Sequence, residues 1–348
     1  MTDVEDGSAE SGLSEEEIAI LLEKSTFPDN VKWLIEGNYD SQEKVNEIAS
    51  PVYSFLQLFG AFLNLEGIEA VTIAADYKAA VAGVERGFGD APALSPSEDV
   101  FGSGSAMAVP VLRGGTLKTH IVLHSGIAQG LVSTEKKLSG LAVHLIAHEA
   151  GHAHDHEIEN RNLPGWYSNF PPDYRERRLF LLAHRCWAEY IASHLSSRWG
   201  TDSYCKEYSE MLCSMLSTAR QRGNAALDGY QQDKDIGRVE RGVIEAYGEF
   251  LVRVSYLVGH VHGLGKSVEE SAPEFLKLVN EATWFTPIFE RYEANVRVLQ
   301  KSYGAWSGIE VFEPLKQTFE LLLRAGGMTY YRLPFDEQWR IGLNRPAN

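Results

Sequence analysis

Thirteen residues, His144-Leu-Ile-Ala-His148-Glu149-Ala-Gly-His152-Ala-His154-Asp155-His156, hold five of the chain's eleven histidines. Imidazole at this density either binds a metal or decorates a polar, solvated helix. On a helix, positions four apart lie about 40° apart around the axis and one turn along it. His148 and His152 then point the same way, close enough to grip one ion. Glu149 sits beside them, able to reach a water without ligating the metal. Metal-assisted hydrolysis needs this division: two neutral nitrogen ligands and one carboxylate near the water. The spacing is an HExxH match. VHLIAHEAGH is otherwise apolar, so two histidines and a glutamate there would be costly without a shared purpose. Gly151 leaves room for a neighbouring element to come close. His144 and His156 continue the spacing, but three side chains on one straight helix cannot converge on one tetrahedral ion. His154 and His156, with Asp155 and Glu157, read as a solvated helix end; Asp155 could instead be a carboxylate standing behind the ligands.

A catalytic zinc needs a third protein ligand. The metzincin continuation is absent, because Asp155 stands where its glycine should be and Ile158 where its third histidine should be. The better candidate is Glu189 in CWAEYIASHLS. It lies at the edge of an apolar arc of Leu182, Cys186, Tyr190 and Leu195, with the small Ala192 and Ser193 nearby. The bland alternative pairs Glu189 with Arg185. His184 points to the opposite side of this helix and His194 well away, so they are the runners-up as ligands.

Elements must hold these side chains. A long helix from about Thr134 to Glu157 carries the histidine run. The loop IENRNLPGWYSNFPPDY follows, and a second long helix from about Arg175 to Arg198 stops at Gly200. Upstream, AVTIAAD reads as a buried strand and YKAAVAGVERG as a helix ending near Gly87. MAVPVLRGG and LKTHIVLHSG read as strands joined by a Gly-Gly turn. The second alternates, with Leu117, Thr119, Ile121 and Leu123 opposite Lys118, His120, Val122 and His124, and is assigned as the sheet's edge strand. Residues 1–12 are an acidic, Ser- and Gly-containing tail expected to be disordered. Ser14 and Glu17 suit a capping box opening a short helix. A helical stretch from about Ser41 to Leu65 is interrupted at Pro51. Beyond residue 200 the pattern is mostly helical to about Lys301, with a short strand near Thr329 to Leu333. The expectation is an α+β fold: a tail (1–12), a helical N-terminal segment (13–65), a core (66–200) and a mostly helical C-terminal subdomain (201–348).

Hydrophobic residues make up 44% of the 348 and charged residues 23%, an ordinary globular balance. Acids outnumber bases 48 to 32, and the resulting net charge of -16 repels phosphate backbones, which argues against a nucleic-acid partner. No apolar run reaches the roughly 18 residues of a membrane span, and the acidic N-terminus lacks the features of a signal peptide. Cys186, Cys205 and Cys213 form no CxxC pattern and read as reduced thiols, so the expected compartment is the cytoplasm.

The order of elements resembles the zincin metallopeptidases: strand and helix, edge strand, HExxH helix, loop, then a helix bearing Glu189-Tyr-Ile-Ala192. Within them it resembles the gluzincin branch, whose third ligand is a glutamate on the following helix. The resemblance spans about residues 66–200. It implies a zincin-like core with zinc (Zn2+) held by His148, His152 and Glu189. It also implies Glu149 as the general base, taking a proton from the attacking water and passing it to the leaving amine. A peptide or protein substrate would lie as an added strand against the edge strand, the role assigned to LKTHIVLHSG. Tyr167, His260, Tyr330 and Tyr331 are the candidates for an oxyanion helper. The alternative is a non-catalytic zinc-binding sensor or regulatory interaction protein on the same scaffold. Glu149 separates the two, because a structural site needs no base and usually has four protein ligands.

Overall fold

Strands rich in β-branched residues build the platform on which the histidine run lies. The computed structural model describes residues 14–37, 39–89, 94, 98–99, 102–168, 170–334 and 338–345, so the tail expected over 1–12 lies outside the described residues. The strands are β1 (Lys32–Glu36), β2 (Ile68–Ala74), a two-residue pair β3 (Glu98–Asp99) and β4 (Gly102–Ser103), then β5 (Ala106–Arg113) and β6 (Thr116–His124). One four-stranded sheet runs in the order β1-β2-β6-β5. β1, β2 and β6 are parallel, and β5 is antiparallel to β6. The β5–β6 hairpin turns on Gly114 and Gly115, at φ of 58° and 83°, the left-handed pair that a tight hairpin loop requires.

Two expectations change here. LKTHIVLHSG is not the edge: β6 is hydrogen-bonded on both sides, and the edge beside it is β5. Its alternation misleads because both faces are covered. Ile121 and Leu123 face one core cluster, while Val122 faces a second one with Tyr77 and Val81 of α3 (Tyr77–Ala82). The N-terminal stretch, read as helical, also contributes β1 to the sheet.

Apart from α3, the helices pack around two larger cores. α1 (Glu15–Leu22) begins with the Ser14–Glu17 capping box. α2 (Gln42–Gly60), α4 (Ser125–Leu131) and α5 (Lys136–Asn162) cover one sheet face, where Val52, Leu56, Phe59, Ile73, Ile121 and Ile146 meet. Burying each such side chain contributes about 1.5–3 kcal/mol. α6 (Tyr174–Ser196) starts at Asp173, whose side chain accepts from Glu176 N. α7 (Asp202–Asp233), α8 (Ile236–Val243), a π-helical turn (Ile244–Gly248), α9 (Glu249–Gly263), α10 (Val268–Ser271), α11 (Pro273–Glu281), α12 (Thr286–Lys301) and α13 (Glu313–Ala325) follow. The hairpin of β7 (Met328–Tyr331) and β8 (Arg340–Leu343) closes the chain. These elements surround a second core containing Trp187, Tyr190, Phe250, Tyr292 and Phe319. The protein is therefore mostly helical α+β. No helix among the described residues is long and apolar enough to cross a membrane.

Small residues bring the helices together at the site. A Cβ at Gly151 of α5 would lie 3.0 Å from both Cα and O of Ala192 in α6. On the other side of α6, Gly259 of α9 abuts the carbonyl of Tyr190. The stack α5–α6–α9 carries the candidate centre.

Candidate metal centre

The helical spacing of His148 and His152 brings their Nε2 atoms to 3.1 Å. The close α5–α6 crossing delivers Glu189, whose Oε2 is 3.2 Å from His148 Nε2 and 3.4 Å from His152 Nε2. A four-coordinate ion with bonds of about 2.0–2.1 Å has donor-to-donor edges of about 3.3 Å. The triangle matches that size, and two imidazoles with a carboxylate form a sound donor set. Among the described residues, His148, His152 and Glu189 form a group that could hold a metal ion. Their side chains are only 7%, 14% and 16% exposed. Arg185, the alternative partner of Glu189, instead forms a two-pronged bond to Glu249.

The electrostatics follow from placing a carboxylate against two imidazoles away from water. Burial alone would raise the Glu189 carboxyl, but His152 and His148 outweigh it and hold it well below the usual range. Burial would lower His152, yet the Glu189 carboxylate stabilises its protonated ring and lifts the group to about 9. A metal entering the triangle must displace that proton, so uptake releases it. Burial pushes the Glu149 carboxyl up, against the pull of His152 and His148. Its Oε2 accepts a hydrogen bond of 2.6 Å from Ala108 N on β5. Glu149 thus stands beside the triangle, braced by the sheet edge, and is not part of it.

Tyr256 of α9 completes the wall. Its ring lies parallel to His148, with centroids 5.3 Å apart and planes 10° apart, and burial together with the nearby Glu189 carboxylate pushes its hydroxyl well above the usual range. Reading the sequence for ligands passed over it. A signal existed: Glu249, Arg253, Tyr256 and His260 recur at helical spacing along one face.

The other nominated residues go elsewhere. The end of α5 is only partly solvated: His154 and Glu157 are half-buried, while α6 and the chain after α12 cover the rest of the group. Asp155 and His156 are buried. Asp155 accepts from Tyr303 OH at 2.9 Å and Trp187 Nε1 at 3.4 Å. His156 Nδ1 pairs with Thr119 Oγ1 at 2.8 Å, and His154 Nδ1 accepts from Asn64 N at 2.7 Å. His184 Nε2 binds Glu159 at 2.6 Å, and His194 stacks on Tyr190. Of the proposed oxyanion helpers, Tyr330 donates to Glu240 and His260 binds the Thr201 carbonyl. Tyr167 packs on Trp166, and Tyr331 is exposed on β7.

Comparison of the chain with protein-family models, with curated proteins and with solved structures finds no match. The functional reading therefore stands on the site itself.

Proposed function

We propose that this protein is a zinc-dependent peptidase of zincin type, with His148, His152 and Glu189 as ligands and Glu149 as general base. The observation that carries the reading is the placement of Glu149. It is a buried carboxylate adjoining three convergent donors, held by a backbone N–H of an edge strand and, among the described residues, in no salt bridge. A purely structural site would have no use for it. A zinc ion held there would supply Lewis acidity, making a nearby water more acidic and polarising a substrate carbonyl. The chain's own part is proton movement and positioning. Glu149, its carboxyl already pushed up by burial, takes a proton from water and returns it to the leaving amine. Ala108 N–H fixes one Glu149 oxygen at 2.6 Å. Tyr256 stacks on His148. The three cysteines are free thiols, which supports a cytoplasmic setting, testable by cell fractionation.

The test is Glu149→Gln, which keeps the volume and removes the base. Folded variant should retain zinc, while peptide hydrolysis falls by a factor of about 10² to 10⁴ or more. A zinc-binding sensor gives another result: neither form cleaves any member of a peptide library, and zinc content is equal in both.

A further inference from the structure

Among the described residues, the edge strand β5 is open along only part of its length. Ser105 O accepts from His124 N at 2.8 Å, which fixes the alternation of the hairpin. With the register Ala108↔Ile121, the backbone groups of Met107, Val109 and Val111 turn toward β6, and those of Ala106, Ala108, Pro110 and Leu112 turn outward. The outward N–H groups are nearly all withdrawn. That of Ala108 donates to Glu149 Oε2, Pro110 has none, and that of Leu112 donates to Arg86 O at 2.7 Å. Gly87, at φ of 74°, sits directly on the Leu112 carbonyl, so both polar groups of Leu112 are covered. The covering segment is pinned: Arg113 Nη2 donates to Glu85 O at 2.8 Å, and the Arg86 guanidinium lies 5.1 Å from the Phe88 ring.

We propose, resting on the peptidase reading, that β5 accepts a substrate backbone only between Ala106 and Pro110, and that Pro110 and the Arg86–Gly87 cover set how much substrate fits. Take a peptide antiparallel to β5, the pairing already used by β6. The residue opposite Ala108 gives its N–H to the Ala108 carbonyl. Its own carbonyl meets no backbone donor and faces Glu149, so it is the scissile carbonyl. Two residues toward the peptide's N-terminus, the next pairing position faces Pro110, which accepts one hydrogen bond and returns none. Two residues further the peptide meets Arg86–Gly87 in place of a free strand. The site therefore recognises about three residues on the N-terminal side of the cleaved bond.

The test uses zinc-loaded protein and quenched fluorescent peptides carrying one to six residues before the same scissile bond. We expect kcat/KM to climb up to three residues and then stop climbing. Pro110→Ala restores an outward N–H, and the ratio of kcat/KM for the three-residue peptide to that for the one-residue peptide should rise about 2- to 10-fold, the worth of one hydrogen bond. Pro110→Val, a better strand former, should raise the ratio alike, which guards against a folding defect in either variant. A wild-type profile still climbing from four to six residues, or a ratio unmoved in both variants, overturns the inference and leaves the peptidase reading standing. Absence of cleavage of every peptide overturns the peptidase reading, and this inference with it.

Discussion

Gly151→Ala and Gly140→Ala make the same change on the same helix, and the structure gives them opposite signs. Around Gly140 nothing lies within 4 Å of an added Cβ. Alanine there should stabilise by about 0.5–1 kcal/mol through helix propensity. At Gly151 the added Cβ would lie 3.0 Å from Cα and O of Ala192, both main-chain atoms of α6. Ordinary carbon contacts are about 3.5–4.0 Å, so the helices must part by about 0.5–1 Å. Overpacking costs about 1–3 kcal/mol, and the upper part of that range applies because backbone cannot rotate away. After the propensity gain, Gly151→Ala should lose about 1–2 kcal/mol. The displaced turn is the one that begins at Glu189, three residues before Ala192. Metal affinity should therefore fall about 10- to 100-fold, the range seen when groups that aim a ligand are disturbed. Guanidinium denaturation of the metal-free proteins reads the first effect, and competition with a chromophoric chelator reads the second. If Gly151→Ala matched Gly140→Ala in stability and bound zinc like the parent, the α5–α6 contact would not be what positions Glu189.

Three further outcomes follow from the same geometry. Purified protein should carry about one zinc per chain, and His148→Ala or Glu189→Ala should lose most of it while His194→Ala keeps it; elemental analysis decides, and retention by Glu189→Ala would remove the third ligand. His184→Ala should also keep its zinc but lose about 1–3 kcal/mol of stability, because it removes the 2.6 Å hydrogen-bond partner of the fully buried Glu159; an unchanged denaturation midpoint would contradict that pairing. Burial, with His148 and His260 adding to it, lowers His144 to about 3, so between there and about 6.5 the unfolded chain binds a proton that the folded chain refuses, and stability is lost as pH falls. At pH 5.5 that loss is about 1.4 kcal/mol, so the stability difference between wild type and His144→Gln should shrink by that amount from pH 7.5 to 5.5, and a constant difference would show that His144 is not held neutral.

What the sequence disclosed was whatever depends on local spacing. The i, i+4 pair of histidines, the neighbouring glutamate, the two long helices and the Gly-Gly hairpin all follow from neighbours along the chain. Glu189 was legible too, since a lone acid bordered by an apolar arc and small residues constrains its own surroundings. What escaped depends on partners remote in sequence. The alternation of β6 suggests one wet face and hence an edge, whereas His120 is buried and pairs with Thr72 of β2 at 2.7 Å. Pro110 held the opposite clue, because a proline inside a strand marks an edge. Tyr256 lies 67 residues beyond Glu189 in the chain, and only the α6–α9 packing brings the two together.

The polar end of α5 carries the more general argument. A helix with polar residues on every side reads as solvated, and that reading failed here for Asp155 and His156. The reason is that the middle and later turns of α5 are packed between the sheet, α6 and the chain after α12, and their buried polar groups meet partners on several different elements. His148 and His152 face Glu189 on α6, and Glu149 faces β5. His156 faces β6, Glu159 faces His184 on α6, and Asp155 faces Tyr303 beyond α12. Burying so many polar groups is tolerable only when each finds a partner. The same requirement fixes the helix's rotation and depth in the fold. A metal triangle with edges of 3.1–3.4 Å tolerates little error in either. The buried histidines and acids outside the triangle therefore act on function through geometry: they hold α5 in the orientation that lets three donors from two helices converge.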